Sequence, residues 1–286
     1  MNEKVETARA NGMLESRAPS RLGVLDGLSL SVAALMTATS VAGLFVDHLY
    51  RDNTWSTAAY RGTDAATLAL AVPTLVVALL LARRGSMRAR LVWLGVLAYN
   101  VYNYGFYLFG TAFNDAFLLY CAGWGLSIAV LVFAVPRVLP GVAAVATAPF
   151  RVVGGYLVVV GVAFGVVWSA QSAYYLLNDQ LPTVIADSGI HTSIVFALDL
   201  SLVVPWLVIG GVLLCRRTRA GIALGVVMNV LAVLYMTALA VSGSFMGNAG
   251  IPGASWSTPP YLEIGIGSIL ALAWLLPKVT TGGEHA

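Results

Sequence analysis

The sequence predicts an all-α, polytopic integral membrane protein with eight transmembrane helices. Three observations carry that prediction. Hydrophobic residues make up 59% of the 286-residue chain and charged residues only 10%, where soluble domains average about 25% charged. The apolar residues are gathered into runs of roughly 20, the length a bilayer core requires. The few charges sort by sign between alternate connections, as they do across a membrane.

The runs fall at about 24–46, 64–82, 91–110, 117–135, 152–175, 193–215, 220–242 and 261–277. In lipid every backbone polar group must be satisfied within the segment, so each run is expected to be a helix. The uniform apolarity excludes barrel strands, which alternate. Before the first run lies a polar stretch with Glu3, Lys4, Glu6, Arg9, Glu15 and Arg17. It lacks the apolar core of a secretory signal, and no A-x-A site follows the first run. Residues 1–21 are therefore expected to be a disordered cytoplasmic tail, and residues 22–286 a single transmembrane domain.

The connections set the orientation. Arg83, Arg84, Arg88 and Arg90 lie between runs two and three, Arg137 and Arg151 between four and five, and Arg216, Arg217 and Arg219 between six and seven. With Lys4, Arg9, Arg17, Arg21 and Lys278, they put nearly all the basic residues on one side; only Arg51 and Arg61 fall on the other. Asp47, Asp52, Asp64, Asp115, Asp179 and Asp187 join those two. Cytoplasmic loops hold the excess Lys and Arg, so both termini are expected inside, in a multi-pass protein of the cell membrane.

Runs two and three resemble runs six and seven. In each pair a Val-Pro is followed by an Arg-Arg turn, then Leu-Gly-Val, then Asn: residues 70–100 against 202–229. Two parallel four-helix halves are expected, at about 22–137 and 150–278. Parallel repeats occur in transporters, with the site at their interface. Pro73 and Pro205 should kink their spans. Trp93, Tyr261 and Trp274 are placed near span ends, where aromatic belts form. Gly161 with Gly165, and Gly221 with Gly225, have the small-xxx-small spacing of close helix packing.

Polar residues inside the runs are the candidate site. At about 1.5 Å per residue, Asn100 and Asn229 lie roughly 15 Å above Arg90 and Arg219, near the midplane. Asn103 and Tyr107 follow Asn100 at i+3 and i+7 and share its face. Asp199 is placed roughly 25 Å above Arg216, and Glu263 roughly 22 Å above Lys278. An ionisable group at such depth is costly and by default functional. The expected binding set is Asp199, Asn100, Asn103, Tyr107 and Glu263, lining a cavity open to the outside. Glu263 also suits the start of its helix, where an acid favours the dipole. Asn229 suits interhelical glue.

No metal site is expected: His48 and His191 have acids nearby, but no ligand spacing supports them. No cofactor is implied, since the chain has no P-loop, HExxH, CxxC or nucleotide fingerprint. No run contains an interior lysine for a Schiff base. The expected partners are the lipid bilayer and a small solute or lipid, with no nucleic acid. Eight spans in 286 residues is small for a transporter, and a homodimer is one way to complete it.

Three functions fit these residues. A small-solute transporter, cationic or proton-coupled, accounts for the repeat, the prolines and the acidic outer side. An intramembrane enzyme on a lipid or isoprenoid would use Asp199 as a general acid, with Tyr104, Tyr107, Tyr120, Trp124 and Trp206 stabilising cationic intermediates. The absence of DDxxD counts against prenyl transfer. A non-catalytic membrane subunit is the third.

Overall fold

The computed structural model of the protein describes residues 21–252 and 258–282. The expected tail, apart from Arg21, lies outside them. The elements are α1 (Arg21–Phe45), α2 (Thr54–Ala66), α3 (Val72–Arg83), α4 (Met87–Gly110), α5 (Phe117–Val138), β1 (Val142–Ala144), α6 (Phe150–Asn178), α7 (Thr183–Ser188), α8 (Ile194–Leu198), α9 (Val204–Cys215), α10 (Arg219–Asn248), α11 (Thr258–Leu275) and β2 (Val279–Thr281). The chain has the shape of a multi-pass helical membrane protein. Among the described residues, 7 helical segments are long and apolar enough to cross a membrane.

The segment outside that set is α4, which carries the stretch with four tyrosines and two asparagines. Its polar residues lower its hydropathy, and its position makes that tolerable: it is the hub of the bundle. Most of its 24 residues are buried. Each phenol reaches a different neighbour. Tyr99 bonds Thr67 at 2.9 Å, Tyr102 donates to Tyr235 at 2.7 Å, Tyr104 bonds Thr39 at 2.8 Å and Tyr107 donates to Asp64 at 3.0 Å. A lipid-facing phenol would find no such partner, so the tyrosines mark a helix that meets protein all round.

The second apolar run begins too late in the sequence reading. The helix starts at Thr54, where Asn53 caps it by accepting from the Ser56 amide at 2.8 Å. Arg61, read as a loop charge, and Asp64, read as the first residue of its run, therefore sit inside a helical segment that continues to Arg83. This early part is rich in Ala, Ser, Thr and Gly because it packs tightly on α10. A Cβ on Gly62 would stand 2.4 Å from the Ser242 Cα. Ser242 Oγ also donates to the Ala59 carbonyl at 2.8 Å and bonds Thr63 at 3.0 Å. Likewise α10 runs to Asn248, six residues past the end expected for the seventh run. Trp93, placed in an interfacial belt, is instead buried, with its indole N–H on Ser29 Oγ at 3.0 Å.

The two prolines are accommodated by widened turns. Thr67–Ala71 and Asp199–Val203 are five-residue π-helical turns, each followed by Val-Pro. Proline lacks an N–H and its ring crowds the carbonyl four residues back, and a π-turn relieves that conflict without ending the helix. The two helical turns that follow also match. Arg84 and Arg216 close α3 and α9. Gly85 and Arg217 then adopt positive φ, at 91° and 58°. Ser86 and Thr218 cap α4 and α10 through their side chains. This geometry aligns Arg84 with Arg216, one residue off the Arg-Arg match of the sequence. Measured from these caps, Asn100 sits about one helical turn farther along than Asn229, so the two are not level.

At the Arg-rich end, α5 and α11 each finish in a short 3-10 turn, Leu139–Gly141 and Leu276–Lys278, and then a strand. The strands pair antiparallel, with Ala143 opposite Thr280. Arg88 fastens this ribbon to α4 by donating to the Val279 carbonyl at 3.0 Å and the Pro277 carbonyl at 2.7 Å.

Candidate functional site

At the end of the bundle opposite the arginines a cavity of about 490 Å³ opens between α2, α4, α6, α10 and the start of α11. Tyr99, Tyr102 and Asn103 of α4, Trp168 of α6 and Tyr235 of α10 line it, and Asp199 belongs to its wall. The segment 184–196 also lines it, contributing Val184, Asp187, Ile190 and Phe196. That segment is anchored to α2: Asn53 Nδ2 donates to the Asp187 carbonyl at 3.0 Å, and Ser56 Oγ to the Ser188 carbonyl at 2.8 Å.

Asp199 opens the second π-turn and has 0% exposure. Its carboxylate lies behind the side chains that bond it rather than projecting into the open space. Trp168 Nε1 donates to Oδ2 at 2.9 Å and the Tyr235 hydroxyl to the same oxygen at 3.3 Å. The Tyr102 hydroxyl in turn donates to Tyr235. Oδ1 is buried and has no hydrogen-bond partner. Trp168 stacks on Phe196 with ring centres 4.3 Å apart, and Tyr102 and Tyr235 lie 4.4 Å apart. A buried carboxylate with one free acceptor is an attractive place for positive charge. Asp199 opens a π-turn, a feature frequent at functional sites.

A second buried carboxylate stands in α2. Asp64 is 2% exposed. Tyr50 donates to its Oδ2 at 2.5 Å and Tyr107 to its Oδ1 at 3.0 Å. Tyr120 stacks on Tyr107 at 5.1 Å. Gly43 of α1 makes room for the group: a Cβ there would stand 1.9 Å from Asp64 Oδ2. Asp64 is not among the cavity residues.

The residues expected from sequence to form one site are thus distributed. Asp199 and Asn103 line the cavity. Tyr107 serves Asp64. Asn100 is fully buried, donating to Ser127 Oγ at 2.8 Å, with its own Oδ1 unpartnered. Glu263 is exposed on α11 and is not a lining residue. Asn229 bonds the Gly225 carbonyl of its own helix at 2.6 Å, so it does not join helices. Of the aromatic residues the enzyme reading would gather at Asp199, Tyr104, Tyr107 and Tyr120 cluster near Asp64, Trp124 packs edge-on against Phe109 outside the cavity, and Trp206 is about half exposed. Among the described residues no three His, Cys, Asp or Glu side chains come together as a metal site.

Sequence reading did not single out Trp168, Tyr102, Tyr235 or Asp64. Tyr235 had a usable signal: counted from Arg219, it lies level with Asp199 counted from Arg216. Asp64 had one too, in Asn53, a residue type favoured as a helix N-cap. Comparison with known proteins finds no matching family model, no matching curated protein and no matching solved structure.

Proposed function

We propose that this protein is a small-solute transporter whose cavity is open to the outside and whose substrate is a cation or a solute moved with a proton. The observation that carries this reading is Asp199: a buried carboxylate with an unpartnered oxygen in the wall of a cavity of about 490 Å³. Pockets that hold small molecules run from about 300 to 1,000 Å³ and combine apolar walls with a few polar groups. Charge asymmetry supports the outward direction, because the cavity opens away from the arginine-rich turns. With α4 counted as a span, surrounded by protein, the chain crosses eight times and both termini are cytoplasmic.

Two parallel halves complete the reading. The matched π-turns, caps and positive-φ residues support them, and so does the ribbon. Ala143 and Thr280 hold the same place in their strands and lie opposite each other, as a two-fold axis through the ribbon requires. The cavity lies between elements of both halves, where repeat-built transporters hold their substrates. It forms within a single chain, so the site needs no second copy.

The test is uptake into proteoliposomes across an imposed proton gradient, using radiolabelled ammonium-bearing, zwitterionic and neutral solutes. Saturable uptake of a cationic or proton-coupled solute, abolished by Asp199→Asn, is expected. Equal uptake by the wild type and Asp199→Asn, or by wild-type and empty vesicles, would remove the proposal.

A further inference from the structure

We infer that the cavity is built for an organic ammonium ion, with one protonated nitrogen that keeps an N–H and a compact apolar or aromatic body. The inference rests on the cavity being a substrate site, as the transport reading holds, and adds the class of substrate.

Charge comes first. The two charged side chains among the cavity residues, Asp187 and Asp199, are both acids. Asp187 is exposed near the mouth, and Asp199 is buried deeper. A cation entering would pass one acid and stop near the other. Among the described residues no lysine or arginine lines the space to favour a carboxylate or phosphate.

The walls then choose between kinds of cation. Hard metal ions need about six or more oxygen ligands. Around Asp199 the cavity offers rings instead: the stacked Trp168–Phe196 pair and the Tyr102–Tyr235 pair. Phe106, Phe164 and Leu239 extend the apolar surface. Ring faces attract a diffuse organic cation and contact its hydrocarbon. An inorganic ion would be stripped of water there with little in return.

Oδ1 of Asp199 adds the last requirement. It is a buried acceptor without a donor, while Oδ2 already has Trp168 and Tyr235. Asp199 is 0% exposed, so a ligand N–H reaches Oδ1 once the side chains that cover it give way; a quaternary ammonium has no N–H to offer.

Equilibrium binding to the purified full-length protein in detergent tests this without reference to transport. The probes are 2-phenylethylamine, its alcohol isostere 2-phenylethanol, N,N,N-trimethyl-2-phenylethylammonium and phenylacetate, measured by titration calorimetry. The amine should bind at least about tenfold tighter than the alcohol, since hydrogen bonds to a charged group are the strong ones. The trimethyl compound should fall between them, and phenylacetate should not bind. Asp199→Asn should bring amine and alcohol to within about threefold of each other. Asp64→Asn, outside the cavity, should leave the wild-type ratio intact. Monodispersity by size exclusion shows that each variant is folded.

Equal binding of amine and alcohol overturns the inference and leaves an apolar-solute pocket. So does an unchanged ratio in Asp199→Asn, or no binding by any probe to the folded wild type. Asp199-dependent amine binding with no uptake into proteoliposomes would keep this inference and remove transport. Uptake of another solute class by protein that ignores the amine would do the reverse.

Discussion

Asp64 and Asp199 invite comparison because so much about them is alike. Both are buried carboxylates in helical segments that cross the bundle, and both accept hydrogen bonds from tyrosines. Both lie just ahead of, or at, a π-turn that precedes a Val-Pro. They differ in what is left over. Asp64 has a donor on each oxygen and sits outside the cavity. Asp199 has two donors on one oxygen, none on the other, and belongs to the cavity wall. Intramembrane charge alone does not single out a site. Incomplete satisfaction beside open space does, because a structural carboxylate is held where every lone pair can be used.

The strongest test removes Asp64. Asp64→Ala leaves the Tyr50 hydroxyl without its acceptor, at a cost of about 1–3 kcal/mol, and leaves Tyr107 only the Tyr60 carbonyl. A large fall in melting temperature in detergent, or loss of folded protein, is expected. Gly43→Ala should come close to it by driving a methyl into the same carboxylate; overpacking costs about 1–3 kcal/mol. If Asp64→Ala melts like the wild type, the two carboxylates do not differ as described.

Asp199→Asn should reverse the pattern. It should change stability by less than about 1 kcal/mol, because removing a poorly satisfied buried charge is often neutral or favourable. Its effect should appear in ligand binding and uptake instead. Thermal melts and calorimetry on one preparation separate the two outcomes.

A pair of phenol deletions sharpens the contrast at smaller scale. Tyr107→Phe should destabilise by about 1 kcal/mol and leave cation binding alone. Tyr235→Phe should weaken cation binding more than it lowers the melting temperature. Equal behaviour of the two would indicate that the cavity and the Asp64 cluster act as one unit.

The smallest expected effect belongs to Asp52, in the connection between α1 and α2. Its burial raises the carboxyl above its ordinary value of 3.8, against a smaller lowering by the Ala112 amide it accepts. The folded state therefore holds this proton to higher pH than the unfolded state does. Its contribution favours folding below 3.8 and is lost as pH rises through the raised value. Asp52→Asn should flatten that slope in melts taken from acid to neutral pH, with no change in ligand selectivity.

Much of the fold was legible because lipid imposes a coarse rule that composition obeys. Long apolar runs and arginine-bounded turns gave the helices and their order. Asp199 stood out because it interrupts an otherwise apolar run. Asp64 did not, because Arg61, three residues before it, made the region look like a loop. What hid the helix was its packing: small and polar residues from Thr54 onward face α10 rather than lipid, so hydropathy carries no trace of them. Facing was the second blind spot. Depth counted from the arginines put Glu263 and Asn100 at plausible heights, but nothing in those short patterns showed that Glu263 turns outward on α11. Asn100 was drawn to Ser127 on α5, a partner separated from it in sequence. The ribbon was missed for a simpler reason, since three-residue strands leave no periodicity to read.

That ribbon has a consequence for how the chain is made. β1 is synthesised with the first half, and its partner β2 follows α11, the last helix described. Until then Val142–Ala144 is an open strand edge at the membrane surface, a kind of edge that can pair with the wrong chain. Its shortness, and Pro140 just before it, limit that hazard. Arg88 waits as well, since the carbonyls it binds at Pro277 and Val279 arrive late. The arginine-rich face therefore closes late, and the early helices are clasped to α11 only once β2 has been made.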